Sequence, residues 1–185
     1  HQINLLSNET KKFTIVVIDD GSTDNSQEWI KANYPETVIL NGDGSLWWGG
    51  GINKGTQYAI DELKCDYVLW WNNDIHTDGD YFRNLLLIAS ETEENTIIGS
   101  KIYFADKPEV IWSMGGIFNT RSGRKYTIGM LQKDSEQFSR PIEADWLPGM
   151  GTLIHRSVFE KIGYVNATDF PQYHGDSEVT FRAKL

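Results

Sequence analysis

Six apolar or β-branched residues, Phe13 to Ile18, run straight into Asp19-Asp20-Gly21-Ser22-Thr23-Asp24. A run of that length suits a buried strand and is too short for a buried helix, and the acidic segment after it is turn chemistry. Asp24 or Ser22 is placed to cap a following helix that reaches about Tyr34, where Pro35 stops it. The same alternation then repeats. Thr37–Leu40 reads as a strand, Asn41–Gly51 as a loop rich in Gly and Trp, and Ile52–Leu63 as a helix. Tyr67–Trp71 reads as a strand running into Asn72-Asn73-Asp74, with a helix over Gly79–Ser90 and a strand over Thr96–Ile102. Strand and helix in alternation imply an α/β domain with a mostly parallel central sheet flanked by helices. Ligands of such sheets bind beyond the carboxyl ends of the strands, where these polar turns lie.

Past Ile102 the pattern changes to a small antiparallel element. Residues 109–130 read as short strands or a hairpin, with Gly115-Gly116 and Ser122-Gly123 as turns, and Lys133–Ser139 reads as a mobile polar loop. Pro148-Gly149-Met150-Gly151 feeds an apolar strand, Arg156–Ile162 is a short helix, and a last helix begins near Gly175. With 185 residues, residues 1–185 make one domain. Both ends read as clipped: Asn4–Lys11 is a polar helix-like opening, and the chain stops inside a helix.

Composition removes several function classes. A net charge of -9 argues against nucleic acid as a partner. No apolar run approaches the ~20 residues of a membrane span, and the opening residues do not make a signal peptide. A single cysteine, Cys65, excludes an internal disulfide and suits a reducing, cytoplasmic setting.

Four constellations could carry chemistry, and each has a plainer reading. Asp19 and Asp20 at a strand end can accept hydrogen bonds from a ligand; the same residues make an Asx turn and a helix cap. Asn72-Asn73-Asp74, with His76 beyond, offers hard oxygen ligands for Mg²⁺ or Mn²⁺, or simply a turn and a loop histidine. Gly49-Gly50-Gly51 before a helix can let a backbone approach phosphate, with Trp47 and Trp48 free to stack, yet it is neither a Walker loop nor a dinucleotide fingerprint. Gly175-Asp176-Ser177-Glu178 can supply a general base or an acidic helix start.

Taken in order, these segments resemble the family 2 glycosyltransferases, which have the GT-A fold. Val16 to Asp24 is similar to that family's strand ending in Asp-Asp-Gly-Ser-Thr-Asp, and Asn72-Asn73-Asp74 stands in the place of its Asp-x-Asp metal motif. Gly149 to Phe159 resembles its acceptor-side segment, and Gly175-Asp176-Ser177-Glu178 with Arg182 its Glu-Asp-x-Asp region. The Gly49–Gly51, Asn53 and Gly55 pattern is most similar to the bacterial rhamnosyltransferase-like branch.

The resemblance implies an inverting transfer of a hexosyl or deoxyhexosyl group from a UDP- or dTDP-sugar to a hydroxyl of a saccharide or lipid-linked saccharide. It implies bacterial cell-surface polysaccharide synthesis, in the cytoplasm or at the inner face of the membrane. Asp176 would be the catalytic base and Asp74 the ligand of a divalent metal. Asp20, Gly21, Ser22, Trp47, Trp48, Gly50, Asn53, Asn73, Gly149, Glu178 and Arg182 would bind substrate. The chain departs from the family at Asn72, Gly175 and Glu178, where acids, or a second Asp, are usual, and it lacks the opening strand. Two other readings stand beside this one: a non-catalytic carbohydrate-binding module, suggested by the paired tryptophans, and a sugar-phosphate nucleotidyltransferase.

Overall fold

A computed structural model describes residues 13–185. The helix-like stretch expected at Asn4–Lys11 lies outside the described residues. Eight strands and five α-helices follow in chain order: β1 (Val16–Asp19), α1 (Ser26–Asn33), β2 (Val38–Asn41), α2 (Trp47–Asp61), β3 (Tyr67–Trp70), α3 (Tyr81–Glu91), β4 (Ile102–Phe104), β5 (Lys107–Ser113), β6 (Gly116–Asn119), β7 (Arg124–Thr127), β8 (Thr152–His155), α4 (Arg156–Ile162) and α5 (Gly175–Lys184).

The chain is α/β, but the expected mostly parallel central sheet is corrected. Among the described residues only β1 and β2 pair in parallel; β3–β8, β4–β5 and β6–β7 are antiparallel pairs. The reason lies in the path of the chain. After β3 it makes a long excursion through two hairpins, then β8 enters beside β3 in the opposite direction, with Trp70 facing Thr152 and Tyr67 facing His155. Residues 96–102, expected as one strand, give a single bridge from Ile98 to Leu153 and then break. At the break Gly99 is pressed against Leu147, and Ser100 Oγ donates to the carbonyl of Gly151 at 2.6 Å.

The β3–β8 pair is covered on both faces, and its side chains sort by the two-residue period of a strand. Trp70 and Ile154 enter a core with Ile60 of α2, Val158 and Phe159 of α4, Val165, and Val179 of α5; Val68 packs beside them. Leu153 on the other face joins Leu85 and Ala89 of α3, with Tyr67, Leu69 and Ile98 against them. Every residue of β8 is buried, so the strand that closes this layer cannot slip without exposing one of the two cores.

Two loops are also corrected. The segment 47–51, expected as loop, is the first turn of α2. The segment 133–139 is tied down: Lys133 bridges to Val110, Lys101 forms an ion pair with Asp134 at 2.7 Å, and Glu136–Phe138 is a short 3₁₀ turn. The hairpins expected between 109 and 130 are present, with left-handed Gly115 and Gly123 at turns. Among the described residues no helix is long and apolar enough to cross a membrane.

Candidate active site

Antiparallel pairing decides where the site lies. The carboxyl end of β3 and the amino end of β8 fall side by side, and Gly151 N donates to the carbonyl of Trp70 at 3.0 Å. Hence the turn Asn72-Asn73-Asp74 and the loop Pro148–Gly151 share one rim.

A line of contacts joins five segments that lie far apart in sequence. The Asp20 carboxylate accepts from Gly44 N (2.8 Å) on Oδ1, and from Leu46 N (2.9 Å) and Trp47 N (3.2 Å) on Oδ2. Those bonds fix the start of α2, which carries Trp48 inward. Trp48 Nε1 donates to Asn72 Oδ1 at 3.2 Å, and its ring meets Trp70 edge-on at 5.9 Å. The same indole is pressed against Gly149, where an added Cβ would stand 2.2 Å from the ring. Only glycine fits there. Gly149 N in turn donates to Asp176 Oδ2 at 2.8 Å. The acidic turn, the glycine segment, the Asn-Asn-Asp turn, Gly149 and Asp176 are therefore one contiguous constellation.

Asp176, partly buried at the start of α5, lines a cavity of about 310 Å³. Its walls include Trp112, Trp146 and Tyr173, with Lys125 and His174 at the polar side. Aromatic rings beside a carboxylate suit a sugar, whose C–H groups pack on apolar surface while its hydroxyls reach a hydrogen-bond acceptor. Lys125 Nζ sits 3.7 Å from the Trp146 ring centre. Burial holds its ammonium below the ordinary lysine range, and the charge of Asp176 offsets only part of that shift. Lys125, Trp112 and Trp146 were not singled out by sequence. Trp146 stands three residues before Gly149, but Lys125 lies in a hairpin with no local signal.

The remaining expected residues divide into those that hold the scaffold and those that face outward. Asn53 makes both of its amide bonds to the backbone of Val165, at 2.7 and 3.0 Å. Arg182 clasps Glu178 at 2.7 Å and donates to the carbonyls of Ile162 and Tyr164, locking the turn after α4. Gly50 of α2 packs on Leu46, the residue just before the helix. Gly21 and Ser22 are exposed in the turn after β1, where the hydroxyl and N–H of Ser22 hold Asp19 below the usual carboxylate range, with Gln27 adding a weaker pull. Trp47 is 58% exposed, beside the inward Trp48. Asn73 and Asp74 are exposed at the tip of their turn.

No group of three or more His, Cys, Asp or Glu side chains gathers among the described residues. An all-protein metal cage is therefore not what this donor set offers. One exposed carboxylate, Asp74, does fit a hard cation that completes its shell with phosphate oxygens and water, as Mg²⁺ commonly does.

The family model for glycosyl transferase family 2 matches residues 3–163. A low-salt glycan biosynthesis hexosyltransferase of Haloferax volcanii is 28% identical over 187 aligned positions, covering 98% of this chain. The chain spans 56% of that relative's length.

Proposed function

The chain belongs to glycosyl transferase family 2, and on that premise we propose that it moves a sugar from a nucleotide diphosphate sugar to an acceptor hydroxyl, with inversion, in the synthesis of a glycan. The observation that carries the reading is the placement of Asp176. It is the carboxylate that both borders the aromatic-walled cavity and connects, through Gly149 and Trp48, to the turn bearing Asp74. The acceptor, a saccharide or lipid-linked saccharide, enters this cavity.

Asp176 takes the proton from the acceptor hydroxyl as that oxygen bonds to the anomeric carbon. The bond from that carbon to the phosphate oxygen breaks on the opposite face, and the nucleoside diphosphate leaves with the electron pair. Asp74, with Asn73 beside it, would hold a divalent metal, Mn²⁺ or Mg²⁺, whose chemistry is to neutralise charge on the departing diphosphate. Three of the roughly four lone-pair positions of Asp20 hold the 44–47 segment, which leaves one on Oδ1 for the base of a UDP or dTDP donor. Exposed Trp47 and the Gly21-Ser22 turn flank that side. We infer a GT-A fold and a cytoplasmic setting, in the cytosol or at the inner face of the membrane, as parts of the same reading.

The test begins with a panel of UDP- and dTDP-sugars and Mn²⁺, scored by thermal stabilisation of the full-length protein. With the donor so found, Asp176→Asn is expected to lower transfer by about 100-fold or more while donor binding by calorimetry stays near wild type. Retained binding also shows that the variant is folded. Wild-type turnover in this variant would remove Asp176 from the chemistry.

A further inference from the structure

We infer that Lys125 is a positioning residue that orients Asp176 through the hydroxyl of Ser177; the inference rests on the reading of Asp176 as the base. Lys125 and Thr127 alternate with Arg124 and Tyr126 along β7, so the first two share one face, and both line the cavity that Asp176 borders. Lys125 is held on two sides there, by the Trp146 ring at 3.7 Å and by Ser177 Oγ at 2.7 Å.

The direction of that second bond follows from the chemistry of the groups. An ammonium can only donate, so Lys125 occupies a lone pair of the Ser177 oxygen. The serine's own proton must then go to an acceptor. Asp176 Oδ1 lies at 3.2 Å and the carbonyl of His174 at 3.4 Å. The carboxylate is the nearer of the two and the charged one, and charge-assisted bonds are the stronger. Lys125 thus fixes the hydroxyl so that it donates to Oδ1, where Ser177 N also donates at 2.6 Å.

The consequence is a division of labour between the two carboxylate oxygens. Among the described residues, Oδ1 accepts from the Ser177 N–H and hydroxyl, and Oδ2 accepts only from Gly149 N. One lone pair remains, on Oδ2, and it is the one available to the acceptor hydroxyl. Without Lys125 the serine proton can turn to the His174 carbonyl, Oδ1 loses one of its two donors, and the two backbone N–H groups alone hold the carboxylate, less firmly, in the productive orientation.

A double-mutant cycle on the full-length protein tests this, using release of nucleoside diphosphate from the UDP- or dTDP-sugar identified by the panel. Lys125→Met and Ser177→Ala are each expected to lower kcat about tenfold with the donor KM unchanged. The double variant is expected to fall no further, because both changes break one relay. Lys125→Arg, which can still donate to the hydroxyl, is expected to recover most of the loss. Should Lys125→Met melt early, Lys125→Gln takes its place in the cycle.

Losses that multiply in the double variant would overturn the relay, since a lysine that merely braces Trp146 acts independently of Ser177. A Lys125→Met enzyme with wild-type kcat would overturn it as well. Asp176→Asn run alongside separates the two levels: wild-type turnover there defeats the base assignment, whereas an inactive Asp176→Asn with a multiplicative cycle defeats the relay alone.

Discussion

Asp74 and Asn53 show what distinguishes a polar residue left open to solvent from one that holds the chain together. Both stand in motifs that suggest binding. Asn53, however, spans 112 residues of sequence to satisfy the N–H and carbonyl of Val165, and buried backbone groups left without partners would cost on the order of 1–3 kcal/mol each. Asp74 makes no hydrogen bond among the described residues and is exposed. Its replacement should therefore leave the unliganded fold almost untouched, within about 0.5 kcal/mol, and act on the donor complex instead. Asp74→Ala is expected to weaken donor binding about tenfold or more in Mn²⁺ and little in chelator. Calorimetry in both conditions decides it; an equal loss with and without metal would place Asp74 against the donor itself rather than against a cation.

At the scale of the element, α2 is the revealing case. Five residues, Trp47 to Gly51, have the composition of a loop, because glycine costs about 1 kcal/mol relative to alanine in a helix. They are helical because tertiary bonds hold them. Asp20 receives the N–H groups that start the helix, and Gly49 N donates to the Pro171 carbonyl at 2.7 Å. Neighbouring glycines should then respond in opposite ways. A Cβ on Gly49 would stand 2.8 Å from the Phe170 carbonyl and 3.0 Å from that of Pro171, both backbone. The three atoms nearest to one on Gly50 all belong to the Leu46 side chain, the closest at 3.2 Å. Gly49→Ala is expected to destabilise by about 1–3 kcal/mol, and Gly50→Ala to be neutral or mildly stabilising. Thermal melts of the pair check this, and a Gly50→Ala as damaging as Gly49→Ala would mean that Leu46 cannot yield and that packing outweighs helix propensity at both positions. The segment Phe170-Pro171 leads into α5, so the Gly49 contact also ties the start of α2 to the element that carries Asp176.

The whole molecule has an acid limit set by its hydrogen-bonded carboxylates. Asp19 is held low by Ser22, Asp134 by Lys101 and Tyr103, and Asp145 by Lys184 and the N–H of Phe118. A carboxyl whose folded value lies below its unfolded one binds fewer protons when folded. Its contribution is complete above about pH 4, the unfolded range, and disappears as pH falls through the folded value. The melting temperature should therefore be level toward neutrality and drop below about pH 4. Asp145 matters most to the architecture, since it joins β6 to the end of α5 through Phe118 and Lys184. Asp145→Asn should soften the acid drop; an unchanged slope would remove that pair from the acid response.

Much of this molecule is written locally. Strand and helix alternation up to the third helix, the hairpin turns, the order of acidic and glycine-rich turns, and the positions of Asp20, Asp74, Gly149 and Asp176 are legible because side-chain periodicity and turn chemistry act over a few residues. The sense of β8 is not local: it depends on where the chain re-enters after an excursion of about eighty residues, so the parallel sheet suggested by alternation gave way to an antiparallel pair. The helical state of Trp47–Gly51, the inward turn of Trp48, the scaffold roles of Asn53 and Arg182, and the arrival of Lys125 beside Ser177 rest on hydrogen bonds and packing between residues as much as 112 positions apart. Short-range pattern cannot encode which distant groups will meet. Burial chooses them, by requiring each polar atom removed from water to find a partner and each face of β8 to find a core.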